Sequence, residues 1–185
     1  MEKRKRRRGM FFLVIGLILI LVAVGWIALN IAEDCQAGRQ AEVLLEDFNE
    51  TIQEPIMEEP NSIKPFCGKV TIKKLGIELP VFEEWDYKKL KEAPCRYTGT
   101  VFSDNMVIAA HNYQSHFGNL KSLEKGDEIR FMDTHRGEHL FQVKELILLD
   151  GSAIEDMQAG DWDFTLFTCT KGGKQRVTVR CERVK

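Results

Sequence analysis

Cys169, His111 and Arg176 are the residues of this chain whose types and surroundings suit thiol-based acyl transfer. The alternating run Thr165-Leu166-Phe167-Thr168 ends in Cys169, and the apolar run Met106-Val107-Ile108-Ala109-Ala110 ends in His111. Arg176 opens a third run, Arg176-Val177-Thr178-Val179-Arg180. A thiolate attacks even a poor electrophile such as an amide carbonyl, and the thioester divides one hard step into two easier ones. An imidazole titrates in the range needed to hand a proton to a leaving amine. A guanidinium keeps its proton, so it serves as a fixed cation for the tetrahedral oxyanion and not as a base. Either cation nearby favours ionisation of the thiol.

Each residue also has a plainer reading. Cys169 alone reads as a small apolar residue at a strand end. His111 competes with His116, which lies in a loop and suits a surface position; His111 is favoured because it ends the apolar run. Arg176 and Arg180 share a strand face, and spacing does not separate them. His135 and His139 flank a turn and read as solvated. Thr168 beside the thiol is either a hydrogen-bonding contact for substrate or a β-branched strand residue. Ile154, Met157 and Trp162 lie in the connection 150–163 before the cysteine strand. From the residues alone they read as apolar side chains that plug the end of the fold. The five cysteines are Cys35, Cys67, Cys95, Cys169 and Cys181. An odd number leaves at least one unpaired, and buried free thiols are the favoured reading for the others.

The elements that position these residues are mostly strands. Lys69–Ile72 alternates and turns at Leu75-Gly76 into Ile77–Phe82. Val101-Phe102 and Met106–Ala110 are apolar runs joined by a Ser103-Asp104-Asn105 turn. Glu128–Phe131, His139–Leu149, Phe164–Thr168 and Gln175–Val184 complete the set. Trp85–Lys91 and Phe117–Leu123 are short helical candidates. Many short strands with few helices predict a mainly β protein built as a closed barrel. No Cys/His spacing of the metal-binding kind occurs, so neither metal nor cofactor is expected.

The ends of the chain set its address. Met10 to Leu29 carry no charge, enough residues to cross ~30 Å of hydrocarbon as a helix. A basic tail over residues 1–9, with Lys3, Arg4, Lys5, Arg6, Arg7 and Arg8, marks the cytoplasmic side of an uncleaved anchor. A cleaved signal peptide is the rival. Ala37, Ala41, Leu44, Phe48 and Ile52 recur at helical spacing. They predict a membrane-proximal helix, read as a stalk, with an appendage packed on the domain as the alternative. Pro55, Pro60 and Pro65 make the following stretch a linker, so residues 30–65 form stalk and linker and residues 66–185 the folded domain. Beyond the anchor stand 20 basic against 27 acidic residues. That excess of acid argues against nucleic acid as a partner.

Taken together, these segments resemble the sortases, membrane-anchored cysteine transpeptidases of Gram-positive bacteria. Ile72–Ile77 with Leu79–Phe82 is similar to the family's first strand pair. Tyr97–Thr100 and Val107–Asn112 are similar to the approach to its histidine, and Phe117–Leu120 to the segment after it. Thr165–Thr170 is similar to its cysteine signature, with Arg176 on the next strand. The resemblance implies an eight-stranded barrel with the active site in a groove on one face. It implies cleavage of an LPxTG-like motif near the C-terminus of secreted proteins and transfer to an amine of a peptidoglycan precursor. Cys169 is then the nucleophile, His111 the proton carrier and Arg176 the clamp. Thr168, Ile154, Met157, Trp162, Ala110 and Asn112 are candidate substrate contacts. Ala110 stands where the family commonly has glycine, and the added methyl is expected to narrow the site. A short loop over residues 170–175 and a short pre-cysteine connection point to a general wall-anchoring or spore-related subtype, class D-like. A thiol hydrolase of similar layout and a non-catalytic β-domain that binds wall or protein ligands are the competing functions.

Overall fold

Eight alternating segments pair into one closed barrel in the order β1-β2-β3-β4-β7-β8-β6-β5. The computed structural model describes residues 2–53, 65–158 and 160–184. The strands are β1 Phe66–Ile72, β2 Ile77–Phe82, β3 Cys95–Thr98, β4 Met106–Ala109, β5 Glu128–Asp133, β6 Glu138–Asp150, β7 Phe164–Cys169 and β8 Gln175–Arg183. Two helices accompany them, α1 Glu2–Gln53 and α2 Ile154–Gln158. The β2–β3 and β4–β7 seams are parallel and the others antiparallel.

Strand alternation sorts the side chains into two apolar layers. Val70, Ile72, Leu79, Val81, Ile108, Ile129, Phe131, Phe141, Leu166 and Val179 fill the barrel. Phe141 and Phe164 stack there with centroids 4.4 Å apart. Residues of opposite parity form an outer cluster with Phe48, Phe66, Phe82, Leu90, Val107, Ala109, Met157 and Phe167.

The chain divides into two compact units, Met1–Gln36 and Ala37–Lys185. The described residues of the first are helix alone, and its apolar side chains from Met10 to Ile31 are largely exposed, as with Trp26 at 72%. This helix is long and apolar enough to cross a membrane. The second unit holds the barrel and the end of α1. There Ala37, Ala41 and Phe48 are buried, and Phe48 meets Phe66 edge-on at 5.9 Å. The periodic face read from the sequence is thus covered: from Ala37 onward the helix packs as an appendage instead of standing free as a stalk. Apart from Pro65, the expected linker lies outside the described residues.

Several elements differ from the sequence reading. β3 has weak apolar alternation, and Arg96 at its centre is held by Glu83, by the Glu83 carbonyl and by the Gly99 carbonyl. Val101-Phe102 is not a strand. It forms a 3-10 turn capped by Thr100, whose hydroxyl accepts from Ser103 N–H at 3.1 Å. Only Lys89–Lys91 of the Trp85–Lys91 candidate is helical. His139 is not solvated: its Nε2 lies 2.8 Å from Asp133 Oδ2 and its Nδ1 2.9 Å from Arg183 Nη1. A guanidinium only donates, so Nδ1 accepts and the Nε2–H faces the carboxylate. Burial pushes the Asp133 carboxyl up, but hydrogen bonds from His139 and from the N–H groups of Gly137 and His135 outweigh it. The net shift is downward. His116, read as a surface residue, is fully buried.

Candidate active site

Parity on three neighbouring strands decides which side chains meet. On β7, Phe164 and Leu166 point into the barrel while Phe167 joins the outer cluster. Cys169, two residues beyond Phe167, therefore projects outward, and it is exposed. On β4, Met106 and Ile108 point in and Val107 and Ala109 out, so His111 follows the outer set. On β8, Val177, Val179 and Cys181 point in, which leaves Arg176 and Arg180 outside.

Register brings the outer set together. Cys169 is the direct cross-strand partner of Arg176 on β8. The parallel β4–β7 ladder aligns Ala109 with Phe167, and Ala110 N–H donates to the Phe167 carbonyl at 3.2 Å. One further position is bridged by the Thr168 hydroxyl, which donates to the Ala110 carbonyl at 2.8 Å. The ladder itself ends at Ala109 and Phe167, two residues before His111 and Cys169. Cys169 and Arg176 thus stand opposite each other at neighbouring strand ends, with His111 two residues past the end of β4.

Each group is held from behind. After His111 the chain turns back, with Phe117 N–H donating to the His111 carbonyl at 3.2 Å and Gly118 N–H to the Tyr113 carbonyl at 2.8 Å. A Cβ at Gly118 would collide with the carbonyl oxygens of Asn112 and Tyr113, so the turn requires glycine there. The His111 ring lies 5.2 Å from that of Tyr113. Burial first, and the Lys91 ammonium second, hold His111 below its ordinary value of 6.5. Its Nε2 is buried and accepts or donates no hydrogen bond to a described residue. A buried ring nitrogen of this kind is satisfied by a water or by a bound group. Arg176 lies over the Phe167 ring, 5.5 Å from its centroid, and its Nη1 reaches the Met157 sulfur at 3.8 Å. Arg180 is tied instead to Glu145 at 3.0 Å and to the Asp156 carbonyl, and it covers Trp162 at 5.6 Å.

The remaining candidates fall into distinct places. Thr168 is buried on the inner face with its hydroxyl committed to Ala110. The Ala110 methyl joins the barrel core. Asn112 is half-buried directly after the histidine. In α2, Met157 is buried under Arg176, while Ile154 is 45% exposed. Trp162 is half-buried against Arg180. The loop after Cys169 is closed by Thr170, whose N–H donates to the Gln175 carbonyl at 2.8 Å, and Gly172 and Gly173 take φ of 89° and 72°. All five cysteines are free thiols. Burial pushes Cys67 up to about 12 and Cys95 up to about 11, and it pushes Cys181 up as well. Within the second unit Cys169 is the exposed thiol.

One flank of this face was not singled out in the sequence. Tyr97 on β3 meets Phe167 edge-on at 5.4 Å, and Trp85 meets Tyr97 at 6.1 Å and Tyr87 at 4.5 Å. Lys91 follows on the adjoining turn. The available signal was the spacing Trp85-x-Tyr87 in a charged, non-periodic stretch, where exposed aromatics have no core to serve.

The closed eight-stranded barrel thus carries the exposed thiol of Cys169 at the end of β7, paired across the sheet with Arg176. The family model described as a sortase domain matches residues 70–184, and the chain belongs to the sortase family. No curated protein sequence matches the chain. Among solved structures it is similar to the sortase D5 transpeptidase of Clostridium perfringens, with 22% identity and a TM-score of 0.67 over 80% of this chain and 99% of that one. It is similar also to sortase A of Listeria monocytogenes, with 19% identity and a TM-score of 0.60 over 66% and 89% of the two chains. Sortase C of Clostridium perfringens, solved with the C-terminal cell wall sorting motif, has 20% identity and a TM-score of 0.58 over 80% and 90%.

Proposed function

We propose that this protein cleaves an LPxTG-like sorting signal of secreted proteins and transfers the acyl group to an amine of a peptidoglycan precursor. The observation that supports the reading most is the exposed Cys169 paired across the sheet with Arg176 in a sortase-family barrel, with the β4–β7 ladder leading toward His111. The Cys169 sulfur attacks the carbonyl, and Arg176 stabilises the oxyanion. His111 takes the thiol proton as the sulfur attacks and passes it to the leaving amine as the C–N bond breaks. An incoming amine then attacks the thioester carbonyl, its proton passes to the ring, and the C–S bond breaks. A sorting motif as substrate is supported by the related sortase C that was solved with one.

The basic segment before the apolar part of α1 supports an anchor with its N-terminus in the cytoplasm and the barrel outside. The short β7–β8 loop and the five-residue α2 before β7 fit a general wall-anchoring or class D-like subtype. The test is the full chain with a fluorogenic sorting peptide, with and without amine. Cys169→Ala abolishes turnover, and His111→Ala or Arg176→Ala lowers kcat/KM by roughly three orders of magnitude or more, as for groups acting as a unit. Product wholly hydrolysed at high amine would identify a thiol hydrolase. Undiminished surface display of cargo by Cys169→Ala would identify a binding domain.

A further inference from the structure

His111 is placed by more than its own strand. β4 ends at Ala109, so the histidine sits on the loop that follows. That loop is tied to itself. Phe117 N–H donates to the His111 carbonyl at 3.2 Å, and the N–H groups of His116 and Gly118 donate to the Tyr113 carbonyl at 3.0 and 2.8 Å. The Tyr113 ring stands 5.2 Å from that of His111 and 5.5 Å from that of His116. Residues 111–118 are therefore linked as one piece, and a surface that presses on the loop also sets where the imidazole stands.

The end of α1 supplies that surface. Ala37 and Ala41 are buried, and Ala41 belongs to the same apolar cluster as Phe117 and Leu120. Between the two alanines comes Gly38. A Cβ there would lie 3.1 Å from the Ser115 Cβ, where ordinary contact begins at 3.4 Å. Glycine weakens a helix interior. Gly38 is helical and is not among the glycines of positive φ, so close approach is the reason left for it. The far end of the helix is fixed at three points. Phe48 meets Phe66 edge-on at 5.9 Å, Asn49 Oδ1 accepts from Lys69 Nζ at 3.2 Å, and the Ile52 carbonyl accepts from Arg136 Nε at 2.8 Å. A helix held this way is a firm wall, so a side chain added at Gly38 moves the loop and not the helix.

We propose that Gly38 is a positioning residue for His111: its bare backbone lets Ser115 close against α1, and the closed loop holds the imidazole in place. The effect on turnover rests on the transpeptidase reading, whereas the effect on the ring rests on the loop geometry alone. Burial is the first cause that keeps His111 below its ordinary value of 6.5. A loop pushed off the helix exposes the ring and moves its titration back toward 6.5.

The experiment uses the full chain in mild detergent, with two readouts. Cleavage of a fluorogenic sorting peptide gives kcat and KM, and NMR of isotope-labelled histidine gives the His111 titration. Displacing a reacting group by about 1 Å costs up to about 100-fold. Gly38→Val is therefore expected to lower kcat roughly 10- to 100-fold with KM within about twofold, and to move the His111 titration upward. Gly38→Ala, which keeps the fold and asks the loop to give only a little, lowers kcat by about threefold or less and moves the titration the same way. Ser115→Gly removes the opposing Cβ, so Gly38→Val costs much less in that background than in the wild type, as a double-mutant cycle reads out. An equal cost in both backgrounds would overturn the proposal, as would an unmoved titration in Gly38→Val. Absence of turnover in the wild-type protein would sink the transpeptidase reading instead, and the titrations would still decide whether Gly38 places the ring.

Discussion

The hydrogen bond from Thr168 to the Ala110 carbonyl decides whether that threonine serves substrate or scaffold. Thr168→Val removes the hydroxyl and keeps the shape. The bond is 2.8 Å long and Thr168 is 2% exposed, so the Ala110 carbonyl loses a donor where water does not readily replace it. A buried acceptor left without its partner costs about 1–3 kcal/mol. Taken near 2 kcal/mol, that is roughly a 30-fold fall in the folded ratio. For a folded unit of this size it is a drop in Tm of roughly 4–8 °C. The same bond joins the strand ends that carry Cys169 and His111, so loosening it lowers kcat more than it raises KM. The assays are urea unfolding of the full chain in mild detergent, followed by tryptophan fluorescence, and steady-state cleavage of a sorting peptide. Thr168→Ser retains the donor and stays nearer wild type in both. A Thr168→Val protein of unchanged stability, with KM raised and kcat intact, would refute this and turn the hydroxyl toward substrate.

Other outcomes follow from the same geometry. Phe48→Ala empties a packed site on the outside of the barrel and lowers unfolding free energy by about 3–5 kcal/mol, measured by urea midpoint. Lys91→Gln removes one of the causes that hold His111 down, so the ring proton titration by NMR moves back toward 6.5. The folded state resists protonation of His111 while the unfolded chain accepts it near 6.5. Stability therefore falls as pH drops below about 6.5, and His111→Asn removes that limb from a series of urea midpoints. The lowered Asp133 carboxyl adds stability above its ordinary value of 3.8, and this is lost as pH falls through its folded value. A water-soluble maleimide labels Cys169 and Cys35 in the native protein and reaches Cys67, Cys95 and Cys181 only in denaturant, as mass spectrometry of digests reads out.

The barrel was legible wherever strands alternate cleanly. β7 and β8 carry the parity that puts Cys169 and Arg176 outside, and that parity is visible in the residue order alone. The apolar stripe from Ala37 to Ile52 was equally plain, but periodicity shows only that a face is covered and not by what. β3 escaped because Arg96 interrupts it, and its place comes from pairing with β4, a tertiary cause. Distant partners also hid His139, whose setting is made by Asp133 and Arg183. The aromatic flank stayed unread for a similar reason. Trp85, Tyr97 and Phe167 become neighbours only after the strands are ordered out of sequence.

That ordering bears on how the molecule matures. β8 comes last, yet it inserts between β6 and β7 and brings Arg176 with it. Until it docks, two sheet margins stand open and Cys169 lacks its cross-strand partner. Sealing the wall and pairing Cys169 with Arg176 are therefore one event.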